Sequence, residues 1–324
     1  MRLVVMGTGG FSVPMFRALL DSPHEVVAVI TRPVPSISKG KAPPPNPMYE
    51  ETTKLDLPVF MPARINDPVT QQMLSELAAD LFVVCDYGQI LSAETLQLAR
   101  LGGINLHGSL LPAYRGAAPI NWCLYDGCDE TGVTVIHMTP RLDAGPSLVQ
   151  RSLSVSPAAT AAEIEESLAL LGVEPVLEAI AMLERWDGEA SLGVPQDRAR
   201  ATKAPRLTKQ DGQVNWQRSA VQISNQVRAF QPWPGTFTFW QRHADKPPIR
   251  LVLDAVHAVT ADEAASGDGG QLPGQVVQSD KSLQVATGDG LLQIDRIQPA
   301  GKRVQSAAEF LRGYPLPVGE VLGS

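Results

Sequence analysis

Hydrophobic positions follow two alternating periods along the first half of this chain. Residues 3–6 form a short apolar run closed by Gly7-Thr8-Gly9-Gly10, and residues 11–20 space their apolar side chains as a helix does. That predicts a strand, a tight turn and a helix. The same alternation predicts further strands at 26–30, 81–85, 103–107, 133–138 and 148–155, with helices at 68–79, 92–100, 118–125 and 161–184. Buried strands interleaved with amphipathic helices define an α/β domain, a mostly parallel sheet with helices on both faces. One segment breaks the pattern. Residues 32–47, RPVPSISKGKAPPPNP, hold six prolines and two lysines, which rules out a regular helix or a central strand and predicts a loop.

Past residue 186 the periodicity fades, and 187–207 collects Gly, Pro, Arg and Lys as a linker does. Beyond it come one predicted helix, 220–230, and short strand-like runs at 235–240, 249–256, 274–277, 283–286 and 291–297. The expected organisation is a first domain over 1–186, a linker over 187–207 and a small β-barrel over 208–324. The Ala/Asp/Gly-biased stretch 260–270 is expected to be a surface loop.

Composition narrows the function. With 324 residues, 44% of them apolar, the chain can fill two cores. A net charge of −7 excludes a nucleic-acid binder held by overall charge. The charge is uneven, however: residues 191–324 carry 15 Lys and Arg against 12 Asp and Glu, so any polyanion must meet a local basic patch there or in the proline-rich loop. Cys85, Cys123 and Cys128 form no CxxC pair and read as free thiols. No signal-peptide pattern and no 18-residue apolar stretch is visible, so a soluble cytoplasmic protein is expected.

Three places could carry chemistry. The Gly7–Gly10 turn follows a strand and opens a helix, so its N–H groups could cradle an anion, but it lacks the third glycine and the acidic partner of a dinucleotide fingerprint; a plain β-α turn explains it as well. Asn105 and His107 alternate along one strand, share a face and project at its carboxyl end, where open α/β sheets build their sites. An amide and an imidazole side by side suit an oxyanion, although two polar residues hydrogen-bonded at a strand end would show the same spacing. Asp143, in the loop Arg141-Leu142-Asp143-Ala144-Gly145, is placed to accept a proton through water, or simply to form the turn. Ser109 lacks the nucleophile elbow of acyl-serine enzymes. His24, His137, His243 and His257 show no ligand spacing, so no metal is expected. Trp233, between Pro232 and Pro234 and near Phe230 and Phe237, is expected to seal a core rather than to stack on RNA. Arg206, Lys209, Arg228, Lys302 and Arg303 are the candidates for phosphate contacts.

NLHGSLLPAYRGAAPI (105–120), followed by LDAG (142–145), resembles the signature of the formyltransferases that use 10-formyltetrahydrofolate. The segments GTGGF, VVCDYGQIL, APRLTKQDGQVNW, RAFQPWPG and VATGDGLLQIDRIQPAGKR extend the likeness over both domains, toward the branch of that family acting on methionyl-tRNA. The resemblance implies a Rossmann-like first domain and an OB-like second one, a monomer that formylates the amine of initiator methionyl-tRNA for translation initiation. Asn105, His107 and Asp143 match the family's catalytic trio. Folate is implied to lie along Ser109, Leu110, Leu111 and Pro112 and against Tyr87, Gly88, Gln89, Ile90 and Leu91, with Leu142 in the loop that closes the pterin pocket. The proline-rich loop, with Arg32, Lys39 and Lys41, is implied to reach the tRNA, Lys39 standing where the family usually has arginine. Asp86, Arg141 and Pro146 depart from the usual pattern. A formyltransferase for a sugar or other small amine, and a non-enzymatic folate- or RNA-binding protein, are the competing readings.

Overall fold

The computed structural model describes residues 1–34, 46–259 and 270–323. Lys39, Lys41, most of the proline-rich segment and nearly all of 260–270 lie outside the described residues. The chain forms two compact units, one of Met1–Ile120, Asp129–Val155 and Glu163–Arg206, the other of Asn121–Cys128, Ser156–Ala162 and Leu207–Ser324.

In the first unit β1 (Arg2–Gly7), α1 (Val13–Leu20) and β2 (Glu25–Ile30) are followed by α2 (Pro47–Thr52), β3 (Val59–Phe60) and α3 (Pro68–Glu76). Next come β4 (Leu81–Cys85), α4 (Ala93–Leu96), β5 (Gly103–His107) and β6 (Arg115–Gly116), then α5 (Pro119–Asp126), whose residues from Asn121 on count with the second unit. β7 (Glu130–His137), β8 (Ser147–Ser154), α6 (Ala161–Leu171), α7 (Val173–Glu184) and β9 (Lys203–Ala204) complete the series. The main sheet has the order β3-β2-β1-β4-β5-β7-β8. It is parallel as far as β5, after which β7 and β8 run antiparallel. Val4, Met6, Phe82 and Val84 pack on one face with Leu74 and Leu96, while α1 packs on β2 and α7, and α7 on β7 and β8. Burial on both faces is why these strands read as continuous apolar runs. The consequence for function is positional: the carboxyl ends of β1, β4 and β5 lie side by side along one edge.

The structure corrects several sequence expectations. The single helix expected over 161–184 is two, because Pro175 has no N–H to give the Leu171 carbonyl and the helix breaks there. The helix expected over 92–100 ends at Leu96, since the N–H groups of Arg100 and Leu101 turn to the carbonyls of Ala79 and Asp80. Pro47, assigned to the loop, instead opens α2, capped by the Asn46 side chain on the Tyr49 N–H. Residues 187–206 do not hang between the units: β9 pairs with β6, and this stretch is bonded into the first unit by hydrogen bonds that leave no hydrophobic period in the sequence.

The second unit is built on β10 (Thr236–Trp240), β11 (Ile249–Ala258), β12 (Val276–Ser279), β13 (Leu283–Ala286), β14 (Leu291–Pro299) and β15 (Gln305–Ser306). The sheet order is β10-β11-β14-β13-β12, with β15 on β14, and all pairs are antiparallel. α8 (Ala220–Ala229) lies on β11 and β14, and Ile223, Trp240, Leu251, Val285 and Ile294 share its core. The tail joins the two ends of the sheet. Leu322 donates to the Gly274 carbonyl and Gly323 to that of Phe239, both at 2.8 Å, so the edge of β10 does not stay open. α9 (Ala307–Gly313), absent from the expected elements, is announced by the Ser306–Glu309 capping box. Phe230 and Phe237 are buried as expected, but Trp233 is not: it sits half exposed, at 51%, on the turn that the Gly235 N–H closes onto the Phe230 carbonyl.

Candidate active site

Asn105 and His107 stand two residues apart on β5 and share a face at the sheet's carboxyl edge. The Asn105 residue is half-buried, and its side chain makes no hydrogen bond among the described residues. His107 is almost wholly buried, and its Nε2 lies 2.9 Å from the Tyr114 carbonyl. A carbonyl only accepts, so Nε2 carries a proton and Nδ1 is the working nitrogen. Nδ1 faces Asp143 Oδ2 at 3.8 Å, an ion-pair distance when the ring is protonated and too long for a hydrogen bond.

Asp143 is held from several sides. Its Oδ2 accepts the Gly116 N–H at 2.9 Å, which ties the LDAG loop to the NLHGSLLPAYRG segment. Its backbone is left-handed, at φ 47°, an arrangement costing a non-glycine residue about 1–2 kcal/mol. Gln196 offsets that cost. Its amide nitrogen donates to the Asp143 carbonyl at 2.9 Å and to the Gly145 carbonyl at 2.7 Å, while its oxygen accepts Arg115 Nη2 at 2.7 Å. Gly145 is also obligatory, because a Cβ there would lie 1.8 Å from the His137 carbonyl oxygen. Thr202 completes the support: its Oγ1 accepts the Tyr114 N–H at 2.8 Å and its carbonyl the Arg115 N–H at 2.9 Å. Gln196 and Thr202 were missed in the sequence because they lie far from the motif, in a stretch with no period.

The residues implied to hold folate divide into two groups. Ile90 and Leu142 are exposed, at 57% and 53%, as apolar groups awaiting a flat ring would be. Tyr87, Leu91, Ser109 and Leu111 point inward, so only their backbone can reach a ligand. Ser109 Oγ donates to the Ala113 carbonyl at 2.7 Å, and the Leu111 N–H bonds Thr134 Oγ1 at 3.0 Å. Leu110 and Pro112 are half-buried between them. The Gly88 and Gln89 stretch is pinned by Gln89, which accepts the Ile65 N–H at 2.9 Å, and by Asn66, which donates to the Ile90 carbonyl at 2.9 Å. Asn66 is a further positioning residue that the sequence did not reveal.

Of the basic residues, Arg32, Arg206, Lys209 and Lys302 are exposed and form no ion pair among the described residues. Arg303 pairs with Glu309 at 3.1 Å. Arg228, half-buried, donates to the Ala159 carbonyl at 2.6 Å and to Asn225 Oδ1 at 2.8 Å. Among the described residues no cluster of His, Cys, Asp and Glu could hold a metal ion, and no helix is long and apolar enough to cross a membrane. Cys85, Cys123 and Cys128 form no disulfide among the described residues.

The fold and the edge of β5 place the chain in a known class. Residues 1–180 match the family model described as formyl transferase, and residues 206–315 that of the formyl transferase C-terminal domain. Methionyl-tRNA formyltransferase of Rhodopirellula baltica is 46% identical, over 99% of this chain and 96% of the relative. That of Methylococcus capsulatus is 39% identical, over the whole of both chains. The chain belongs to the methionyl-tRNA formyltransferase family. The solved structure of HypX from Aquifex aeolicus in complex with tetrahydrofolic acid shares the fold at TM-score 0.62 and 18% identity, covering 98% of this chain and 48% of that one.

Proposed function

We propose that this protein moves the formyl group of 10-formyltetrahydrofolate onto the α-amine of methionyl-tRNA, with Asn105, His107 and Asp143 as its catalytic residues. The observation that carries the reading is the His107–Asp143 pair, with His107 on the strand that also carries Asn105 two residues away, in a chain that matches methionyl-tRNA formyltransferases from end to end. The neutral amine attacks the formyl carbon. A C–N bond forms, and the carbonyl electron pair moves to oxygen, where the Asn105 N–H groups meet the developing charge. His107 Nδ1 takes the proton from the attacking nitrogen, and Asp143 stabilises the imidazolium so formed. The C–N bond to the folate then breaks, and that nitrogen receives the proton through water.

Ile90 and Leu142 are the apolar walls for the pterin, and the backbone of Tyr87–Leu91 and Ser109–Pro112 lines the rest. Arg32, Arg206, Lys209 and Lys302 are the phosphate contacts for tRNA, and Lys39 and Lys41 of the proline-rich segment are the further candidates. The direct test is single-turnover transfer of label from 10-formyltetrahydrofolate to methionyl initiator tRNA, with an amino sugar as the competing acceptor. Transfer to the tRNA alone is expected; transfer to the sugar alone would overturn the reading.

A further inference from the structure

Trp216 and Trp240 are buried in the core of the second unit, but the Trp233 indole is half exposed, and its N–H makes no hydrogen bond among the described residues. Its place is nevertheless fixed. The Gly235 N–H closes the turn onto the Phe230 carbonyl at 2.8 Å, and Gln231 Nε2 donates to the Asp254 carbonyl. A second turn lies flat against the first: a Cβ on Gly212 would stand 2.1 Å from the Gly235 carbonyl oxygen and 3.2 Å from Phe237 Cε1. That second turn carries Lys209, and Asp211 Oδ2 closes it by accepting the Thr208 N–H at 2.6 Å and the Thr208 hydroxyl at 2.8 Å. Gln226, buried on α8, ties it to the helix by donating to the carbonyls of Asp211 at 2.9 Å and Gln213 at 3.2 Å. Arg250 of β11 lies over the Phe237 ring, its Cζ 4.0 Å from the centroid. Neither Lys209 nor Arg250 has an ion-pair partner among the described residues, and the Asp254 carboxylate is paired with Arg296 at 2.5 Å. All of these residues belong to the second unit.

We propose that Trp233 is a stacking platform for one unpaired base of the tRNA, and that Lys209 and Arg250 hold the phosphates beside that base. The proposal rests on the reading of the chain as acting on methionyl-tRNA. Burying an indole is among the largest gains a side chain offers, and here a doubly fixed turn holds the ring in solvent instead. Over residues 207–214 and 230–240 no other large apolar side chain is exposed among the described residues, so the ring is too isolated for an apolar protein-docking patch. A single aromatic face with cations on the neighbouring turn and strand is what an unpaired nucleotide needs, a surface for its base and charge for its backbone.

The test is the affinity for initiator methionyl-tRNA, measured against salt concentration, of the full chain and of Trp233→Phe, Trp233→Leu, Lys209→Gln and Arg250→Gln, with folate affinity and thermal midpoints alongside. Trp233→Leu should weaken tRNA binding by about 10-fold at every salt concentration, because stacking releases no counterions and leaves the salt slope as it was. Trp233→Phe keeps an aromatic face and should recover most of that loss. Lys209→Gln and Arg250→Gln should each lower the slope by roughly one contact. Folate affinity and the thermal midpoint of both Trp233 variants should match those of the natural chain. Natural tRNA affinity in Trp233→Leu, no recovery in Trp233→Phe, or a loss that follows a lowered midpoint would overturn the proposal. A natural chain that formylates methionyl-tRNA while Trp233→Leu binds it equally well removes this inference alone; a natural chain that does not use the tRNA removes the proposed function with it.

Discussion

The Gln196 side chain reaches across 53 residues of sequence to hold Asp143, its amide nitrogen donating to the Asp143 carbonyl at 2.9 Å. With the second bond to Gly145 and the one from Arg115, it fixes a left-handed residue whose carboxylate must face His107. Gln196→Ala should therefore lower kcat by about 10-fold to 10²-fold, as a displacement of the order of 1 Å at a reacting group does, with little change in tRNA affinity. Steady-state kinetics beside tRNA binding decide it; a rise in KM for tRNA with kcat unchanged would show that Gln196 acts elsewhere.

Gly145 makes the same point with a larger effect. A methyl group there meets backbone, the His137 carbonyl, and not a side chain that can swing away. Gly145→Ala must move the LDAG loop, so activity per folded molecule should fall by on the order of 10² or more. Full activity in the folded variant would mean that the position of Asp143 does not matter.

The contrast between these two residues shows what the sequence made legible. Strands β4 and β5 were readable residue for residue, β4 as the continuous apolar run of a strand buried on both faces and β5 by its alternation of apolar and polar residues. Asn105 and His107 were placed on one face by the period of two, and Gly145 was quoted as part of LDAG. Gln196 and Thr202 were not legible, since a polar side chain bonding to distant backbone leaves no period, and their segment reads as a linker. For Arg228 the charge is visible in the sequence, but the Ala159 carbonyl to which its guanidinium donates is not.

Asp86 gives a pH prediction with a definite sign. Burial among its neighbours raises its pKa above the ordinary 3.8, against the Gly9 N–H and the cations of Arg32 and Arg206, even though part of the residue stays in water. A carboxyl group with a raised folded pKa binds protons more readily folded than unfolded, so its charge costs stability above the folded pKa and the cost vanishes as pH falls below 3.8. Asp86→Asn should thus be more stable than the natural chain at neutral pH, and the gap should close on acidification. Thermal midpoints from pH 7 to pH 3.5 read this directly; a gap that widens toward acid would reverse the sign.

For tRNA, the exposed and the inward-turned basic residues separate cleanly. Lys302→Gln and Arg206→Gln should each reduce the salt slope of tRNA binding by roughly one phosphate contact, while Arg228→Gln should leave the slope alone and lower stability through its lost bonds to Ala159 and Asn225. Affinity measured against salt concentration distinguishes them. A reduced slope in Arg228→Gln alone would mean that the wrong residues have been chosen.

The measurement closest to the centre of the account is the single-turnover rate of formyl transfer to methionyl-tRNA by Asn105→Ala and His107→Ala, with donor and acceptor both saturating. Both residues act on charge and protons that appear only during the reaction, so each variant should lose about 10² to 10³ in rate while binding folate and tRNA as the natural chain does. A natural rate in either variant would contradict the assignment of this edge as the catalytic site.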